Sequence, residues 1–186
     1  MENLTIANQS NATVTRGSGV SDVLNLHGVF EFECFDKDGN LKWKDIGYNT
    51  VSNQGKNGMM DTYLGLSPAL ASAWYMSLVT AGTATTSSTY ATPIVTEITS
   101  SIVATRPTVA WSAASAGSKA ATTTAFSIIG SATITGNMLV TATSNGSVIA
   151  NTAGTGGIFF SGAAFSGGSK AVTSGDTLNV TYSLSI

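Results

Sequence analysis

From Thr62 to Ile186 the chain runs for 125 residues with only Glu97, Arg106, Lys119, Lys170 and Asp176 as charged side chains. The other thirteen of its eighteen charges lie between Glu2 and Asp61. The long neutral stretch is built from Ala, Thr, Ser, Gly and Val with short apolar runs. β-Branched runs of this length, punctuated by Gly, suit strands and turns. They leave little material for acid–base or metal chemistry. With one His (His27) and one Cys (Cys34), the side-chain inventory argues against an enzyme and for a structural or binding protein.

At 186 residues the chain fits one domain, or one domain plus an arm, and is long enough to bury a real core. It is 42% hydrophobic and 10% charged, against about 25% charged residues in ordinary soluble domains. Low charge weakens solubility, and a protein held in an assembly tolerates that better than a free monomer. A net charge of −2 gives no basic field for wrapping nucleic acid. No run of apolar residues is long enough for a transmembrane helix. The opening MENLTIANQSNATVTRGSG lacks the basic and apolar regions of a secretory signal, so the chain is expected to be made in the cytoplasm of its cell. The sequons at Asn3, Asn8, Asn11, Asn145 and Asn179 then follow from Asn, Ser and Thr richness. A single cysteine excludes an intrachain disulfide.

Residues 1–20 are polar and end in Gly17 and Gly19, which reads as an extended arm, ordered only if it lies on a partner, or equally as a surface tail with no role. Residues 21–186 read as a single domain. Val29–Phe35 and Leu41–Lys44 alternate with period two around Asp36-Lys37-Asp38-Gly39-Asn40. Asp38-Gly39 predicts a two-residue type I′ hairpin loop pairing Lys37 with Asn40, Cys34 with Trp43 and Glu33 with Lys44. Residues 53–64 are the best helix: Asn53 can cap the first turn, Met59, Met60, Tyr63 and Leu64 recur at helical spacing as a core stripe, and Gly65 is a stop.

Beyond Gly65 the strand pattern returns. Trp74–Val79 reads as a buried strand and Ala81–Thr89 as a loop. Ile94–Ile98, Pro107–Trp111, Thr122–Ile129, Ala132–Ile134, Met138–Thr143, Ile158–Phe160 and Leu178–Ile186 read as further strands. Such spacing with Gly-rich turns predicts an all-β fold, a β-sandwich or jelly-roll-like barrel.

No chemical motif completes itself. His27 is the only histidine base, no G-x-S-x-G elbow accompanies it, and Cys34 falls on the inward face of the hairpin. Zinc would need more His and Cys. Asp36, Asp38, Gly39 and Asn40 have the opening of a calcium loop, but its twelfth position is Gly47 rather than Glu. Gly162–Lys170 lacks the Gly-Lys step of a phosphate loop and reads as a flexible turn. Glu31 and Glu33 share one strand face, with Lys44 available to neutralise them, and read as a solvated outer face rather than a glycosidase pair. Trp43, Trp74 and Trp111 sit in apolar strands and read as core. No catalytic, cofactor-binding or metal-binding residue is assigned, and no cofactor is expected.

The segment Phe30-Glu31-Phe32-Glu33-Cys34-Phe35-Asp36-Lys37-Asp38-Gly39-Asn40-Leu41-Lys42-Trp43, then Asn49, Gly55–Leu64, Ala73–Leu78 and Ser174–Tyr182, resembles a family of small structural proteins of tailed bacteriophages. The resemblance covers residues 27–186. It implies a virion component without enzymatic activity, such as a head decoration or cement protein on the capsid surface. Its partners would be the major capsid protein and copies of itself, as a trimer, with no nucleic acid and no membrane. A tail, neck or fibre protein contacting a host glycan, through Trp111 or the Gly/Ser-rich loops from Asn145 to Lys170, is the alternative.

Overall fold

A computed structural model describes residues 26–64, 73–142, 147–149 and 157–186. The expected N-terminal arm lies outside the described residues, as does Gly65. The fold is all-β and sandwich-like: antiparallel sheets enclose the core between them, and among the described residues one short helix packs against the second sheet.

The first sheet holds β1 (His27–Phe35), β2 (Leu41–Tyr48), β7 (Ser118–Ala120), β8 (Thr124–Ser127) and β13 (Thr177–Ser185). The second holds β3 (Thr50–Val51), β4 (Ala73–Gly82), β5 (Val95–Glu97), β6 (Thr108–Val109), β10 (Gly136–Ala142) and β11 (Ile158–Ala164). Two short strands, β9 (Ala132–Ile134) and β12 (Lys170–Val172), pair apart from both. The helix α1 (Asn53–Leu64) follows β3.

β1 and β13 form the axis of the first sheet, paired from His27↔Ser185 to Phe35↔Thr177. Both alternate cleanly. Phe30, Phe32, Cys34, Leu178, Val180 and Tyr182 point inward and are buried, while Glu31 is exposed on the other face. The rings interlock across the core: Trp43 on Phe165 (5.7 Å), Phe165 on Phe32 (4.7 Å), Phe30 on Tyr182 (4.1 Å), Tyr182 on Trp111 (6.0 Å), and Trp74 on both Trp111 (5.6 Å) and Phe160 (5.3 Å). All but the closer Phe30–Tyr182 stack lie in the favourable range of centroid spacings for aromatic pairs. The three tryptophans, expected as core, are half-buried and pack against it.

β10 is buried along its whole length. One face meets the first sheet. The other carries Met138, Val140 and Ala142 into a second, smaller core with Val79, Phe159, Ala84 and Tyr90, the last two from the 83–94 loop. Gln54 ties that loop down: its carbonyl accepts from Tyr90 N–H and Phe159 N–H, both at 2.8 Å. The tyrosine in the main core is held by polar groups. Asn49 donates to the Tyr182 hydroxyl (2.8 Å) and accepts from Gly28 N–H (2.7 Å). Burial pushes the Tyr182 phenol up to about 12. Gly28 is glycine for space, since a Cβ there would stand 2.5 Å from that hydroxyl.

Several local expectations need correction. Cys34 does face Trp43, and Glu33 does face Lys44, but the connection is longer than two residues. Asp36 N–H donates to Asn40 O, Gly39 N–H donates to Asp36 O, and Gly39 takes φ +84°. The Asp36 carboxylate accepts from the N–H groups of Asp38 and Asn40 and sets this wider turn. A register shift then pairs Phe35 with Leu41 and leaves Lys42 as the extra residue.

The helix occupies its expected span, but its cap is Ser52, not Asn53. Ser52 Oγ accepts from Gly55 N–H (2.9 Å) and donates to Phe159 O. Of the apolar stripe, Met59 packs against the core whereas Met60 and Leu64 are exposed. β4 runs on to Gly82, so the loop begins two residues later than expected. In the 162–170 segment the turn is confined to residues 165–169, reversing at Gly168 (φ +76°), while Gly162–Ala164 finish β11 and Lys170 opens β12.

Candidate functional site

The pairing register lays the outward side chains of the first sheet in transverse rows. Lys44, Glu33, Asn179 and Ala125 form one row across β2, β1, β13 and β8. Ile46, Glu31 and Thr181 form the next, and Tyr48, Val29 and Ser183 a third. Each row runs from a long side chain on β2 to small neutral ones on β13. Lys44 reaches Glu33 at 2.5 Å, and the Thr181 hydroxyl donates to Glu31 at 3.3 Å. Opposite charges across a strand pair contribute modestly at an exposed face.

Over this face lies an open groove of about 680 Å³, floored by Glu31, Glu33, Lys44, Ile46, Asn179 and Thr181. Thr123 stands on one side, and Asp45, Gly167 and Lys170 on the other. Asp45 occupies an inward-parity position on β2, beside Trp43 and Gly47. A carboxylate there needs partners. It finds Lys170 Nζ at 2.9 Å, Gly167 N–H at 3.1 Å and Ile46 N–H at 2.7 Å. Burial pushes its carboxyl up, but these partners outweigh burial and hold it below the usual carboxylate range. Asp45 and Lys170 thereby fasten the turn after β11 onto the free side of β2, helped by Ser166 N–H donating to Ile46 O and Trp43 Nε1 donating to Ala171 O.

A second clasp closes the turn end of the hairpin. Asp176 accepts from Lys42 Nζ (2.5 Å), Thr173 N–H (2.8 Å) and the Thr173 hydroxyl (3.1 Å). Burial again opposes ionisation, and again Lys42 and Thr173 prevail, lowering the Asp176 carboxyl. The neighbouring Cys34 is fully buried, and burial together with the Asp176 charge pushes its thiol up to about 11. That is the opposite of an activated nucleophile.

The residues weighed for chemistry do not converge. His27 is exposed at the start of β1 and, by strand parity, on the opposite face from Cys34. Asp36 is engaged within its turn, and Asp38 is paired with Lys37. Among the described residues no three of His, Cys, Asp and Glu gather as a metal set. Glu31 and Glu33 do share one face, which is broad and open, with Glu33 bound to Lys44. The groove therefore offers three carboxylates, two ammonium groups, an amide and hydroxyls for hydrogen bonding.

Glu31, Glu33 and Lys44 were legible on the hairpin from the sequence. The Asp45–Lys170 clasp and Thr123 were missed. The available signal was a lone charge at an inward position of an alternating strand. No protein-family model matches the chain, and no curated protein matches it.

Proposed function

We propose that this chain is a non-enzymatic structural component of a tailed-bacteriophage particle, most specifically a decoration protein that binds the major capsid protein lattice and stabilises the head. The observation that carries this reading is how its charges are used. Lys37 with Asp38, Lys42 with Asp176, Lys44 with Glu33, Lys170 with Asp45 and Arg106 with Glu97 pair with one another. The remaining surface is largely Ser, Thr, Ala and Gly, with Leu41, Ile46, Tyr48, Ile94 and Ile129 exposed among them. A surface with so weak a field binds through area and main-chain hydrogen bonds rather than by long-range steering. Repetition on a symmetric shell multiplies weak contacts of that kind. The resemblance of residues 27–186 to small phage structural proteins points the same way.

The test is the copy number in purified particles, measured by quantitative mass spectrometry against the major capsid protein. Hundreds of copies support decoration. A dozen or fewer overturn it in favour of the neck, tail or fibres. The polar groove over Glu31, Asn179 and Thr181 favours one second reading, a fibre-associated adhesin for a host glycan. Trp111 is packed between Trp74 and Tyr182 and is poorly placed for that task. Glycan-array binding lost on Asn179→Ala, with no binding to undecorated capsids, would select the adhesin.

A further inference from the structure

Among the described residues, two other than glycine take a left-handed backbone, Ile94 (φ +62°) and Ala116 (φ +49°). Ala116 has a local reason. It sits with Gly117 (φ +74°) between Ser115 and Ser118, which bond to each other through both main-chain groups at 2.9 Å. With both central residues left-handed this is a type I′ hairpin turn, which requires positive φ there. Ile94 lies in no such turn. A β-branched residue is poorly suited to that backbone. Its side chain is 47% exposed, so its own burial does not offset the strain.

Strain of this kind persists only where the surroundings impose it, and it gathers at switch segments. Ile94 ends the 83–94 loop, and Gly82 (φ +81°) precedes its start. The two ends meet, because Gly82 pairs with Val95 across β4 and β5. Between them the loop is folded on itself. Ser88 N–H donates to Thr85 O, and Thr89 and Thr92 bond to each other through both main-chain groups. The loop buries Ala84, Ser88 and Tyr90 and leaves most of its other side chains exposed. Among the described residues, hydrogen bonds join it to the body at three points. Asn53 N–H, an orphan donor of the first helical turn, donates to Thr86 O (2.8 Å). Tyr90 N–H donates to Gln54, and Arg106 donates to the Tyr90 hydroxyl (3.1 Å). Packed with Ala84 and Tyr90 are Val79, Met138, Val140 and Phe159.

We propose that residues 83–94 form a hinged strap that lifts from the second core as a unit, turning at Gly82 and Ile94 and latched by Gln54 and Tyr90. Opening frees Ile94 to return to negative φ, whereas closing buries Ala84 and Tyr90. One loop thus sets strain against burial. Lifting Tyr90 also takes its hydroxyl from Arg106 and lets water reach that guanidinium, which softens the cost of opening. The open form presents the apolar face of Val79, Met138, Val140 and Phe159 that the closed form hides. Few buried contacts and few bonds to the body are what place a segment at the low-stability end of a fold.

Native-state hydrogen exchange of the full chain, followed by NMR across low urea concentrations, tests the strap. The Tyr90 and Asn53 amides should exchange through one shared opening, about a hundredfold or more faster than the β1 amides and with little urea dependence. Ile94→Gly and Ile94→Asn, both suited to positive φ, should each slow the two amides by about fivefold or more and leave β1 unchanged. Gln54→Ala should speed exchange at Asn53 as well as at Tyr90, although Gln54 bonds only the latter of the two. Exchange of both amides at the β1 rate overturns the proposal. So does indifference to the Ile94 substitutions, or a Gln54→Ala effect confined to Tyr90.

Discussion

Replacing Glu97 by Ala is the sharpest test of how this fold handles its few charges. Glu97, on β5, meets Arg106 with Nε at 2.7 Å and Nη2 at 2.8 Å, and Arg106 Nη1 also donates to the Tyr90 hydroxyl at 3.1 Å. The two charged side chains are 1% and 7% exposed, Arg106 being the deeper. The carboxylate and the phenol outweigh the cost of burial and hold the guanidinium above its ordinary range. A guanidinium is not deprotonated in proteins, so Arg106 stays charged when Glu97 is removed, inside a layer that cannot hydrate it freely. Breaking a buried pair from one side costs about 3–5 kcal/mol. In a domain of this size each kcal/mol moves the Tm by about 2–4 °C, so Glu97→Ala should lower it by on the order of 6–20 °C. Replacing both members, Glu97→Leu with Arg106→Met, removes the orphan charge and should recover most of that loss. Urea and thermal unfolding of the single and double variants supply the double-mutant cycle. A Glu97→Ala loss below about 1 kcal/mol would equal that of an exposed pair. It would refute the claim that this charge pair is sealed from water.

Three further outcomes follow from the same geometry. Ser52→Ala removes the cap that accepts from Gly55 N–H and should cost about 0.5–2 kcal/mol, whereas Asn53→Ala should cost much less; urea midpoints separate the two. Asn137 is buried with neither amide atom hydrogen-bonded to the protein, so Asn137→Leu should stabilise by about 1–3 kcal/mol in the same assay, and a loss would mean the amide is satisfied by bound water. Asp45 and Asp176 both have folded-state carboxyls below their ordinary value. Their contribution is therefore complete above the unfolded pKa of about 4 and is lost as pH falls through the lower folded values. Acid titration of stability should show a decline confined to pH below about 4, shallower in an Asp176→Asn variant, and a decline already under way at pH 6 would contradict it.

Local pattern carried the sequence reading where neighbours in the chain are neighbours in space. The hairpin pairs Cys34–Trp43 and Glu33–Lys44 could be read because alternation fixes which face each residue takes. The turn could not, because the Asp36 carboxylate competes for main-chain N–H groups and the extra residue is absorbed at Lys42 without disturbing those pairs. The cap moved by one residue because Ser52 and Asn53 are both competent and only Ser52 lies against Phe159. β7 and β12 were missed because each is three residues long and contains a lysine where an apolar residue would have marked a strand.

The long neutral stretch takes on a different sense once its five charges are located. Lys170 and Asp176 reach back to Asp45 and Lys42 on the hairpin, Glu97 and Arg106 close on each other over the second sheet, and Lys119 donates to Ser112 O beside Trp111. Four of the five meet an opposite charge, and Lys119 is held by a neutral carbonyl. Each joins segments that apolar burial alone would bring together without fixing their register, because a misplaced charge costs more than a misplaced methyl. A chain that keeps charge for internal clasps forgoes the repulsion that keeps monomers apart. Its described surface then carries exposed apolar side chains such as Leu41, Ile46 and Tyr48 among few unpaired charges, which is why association is the property from which a function for this fold should be sought.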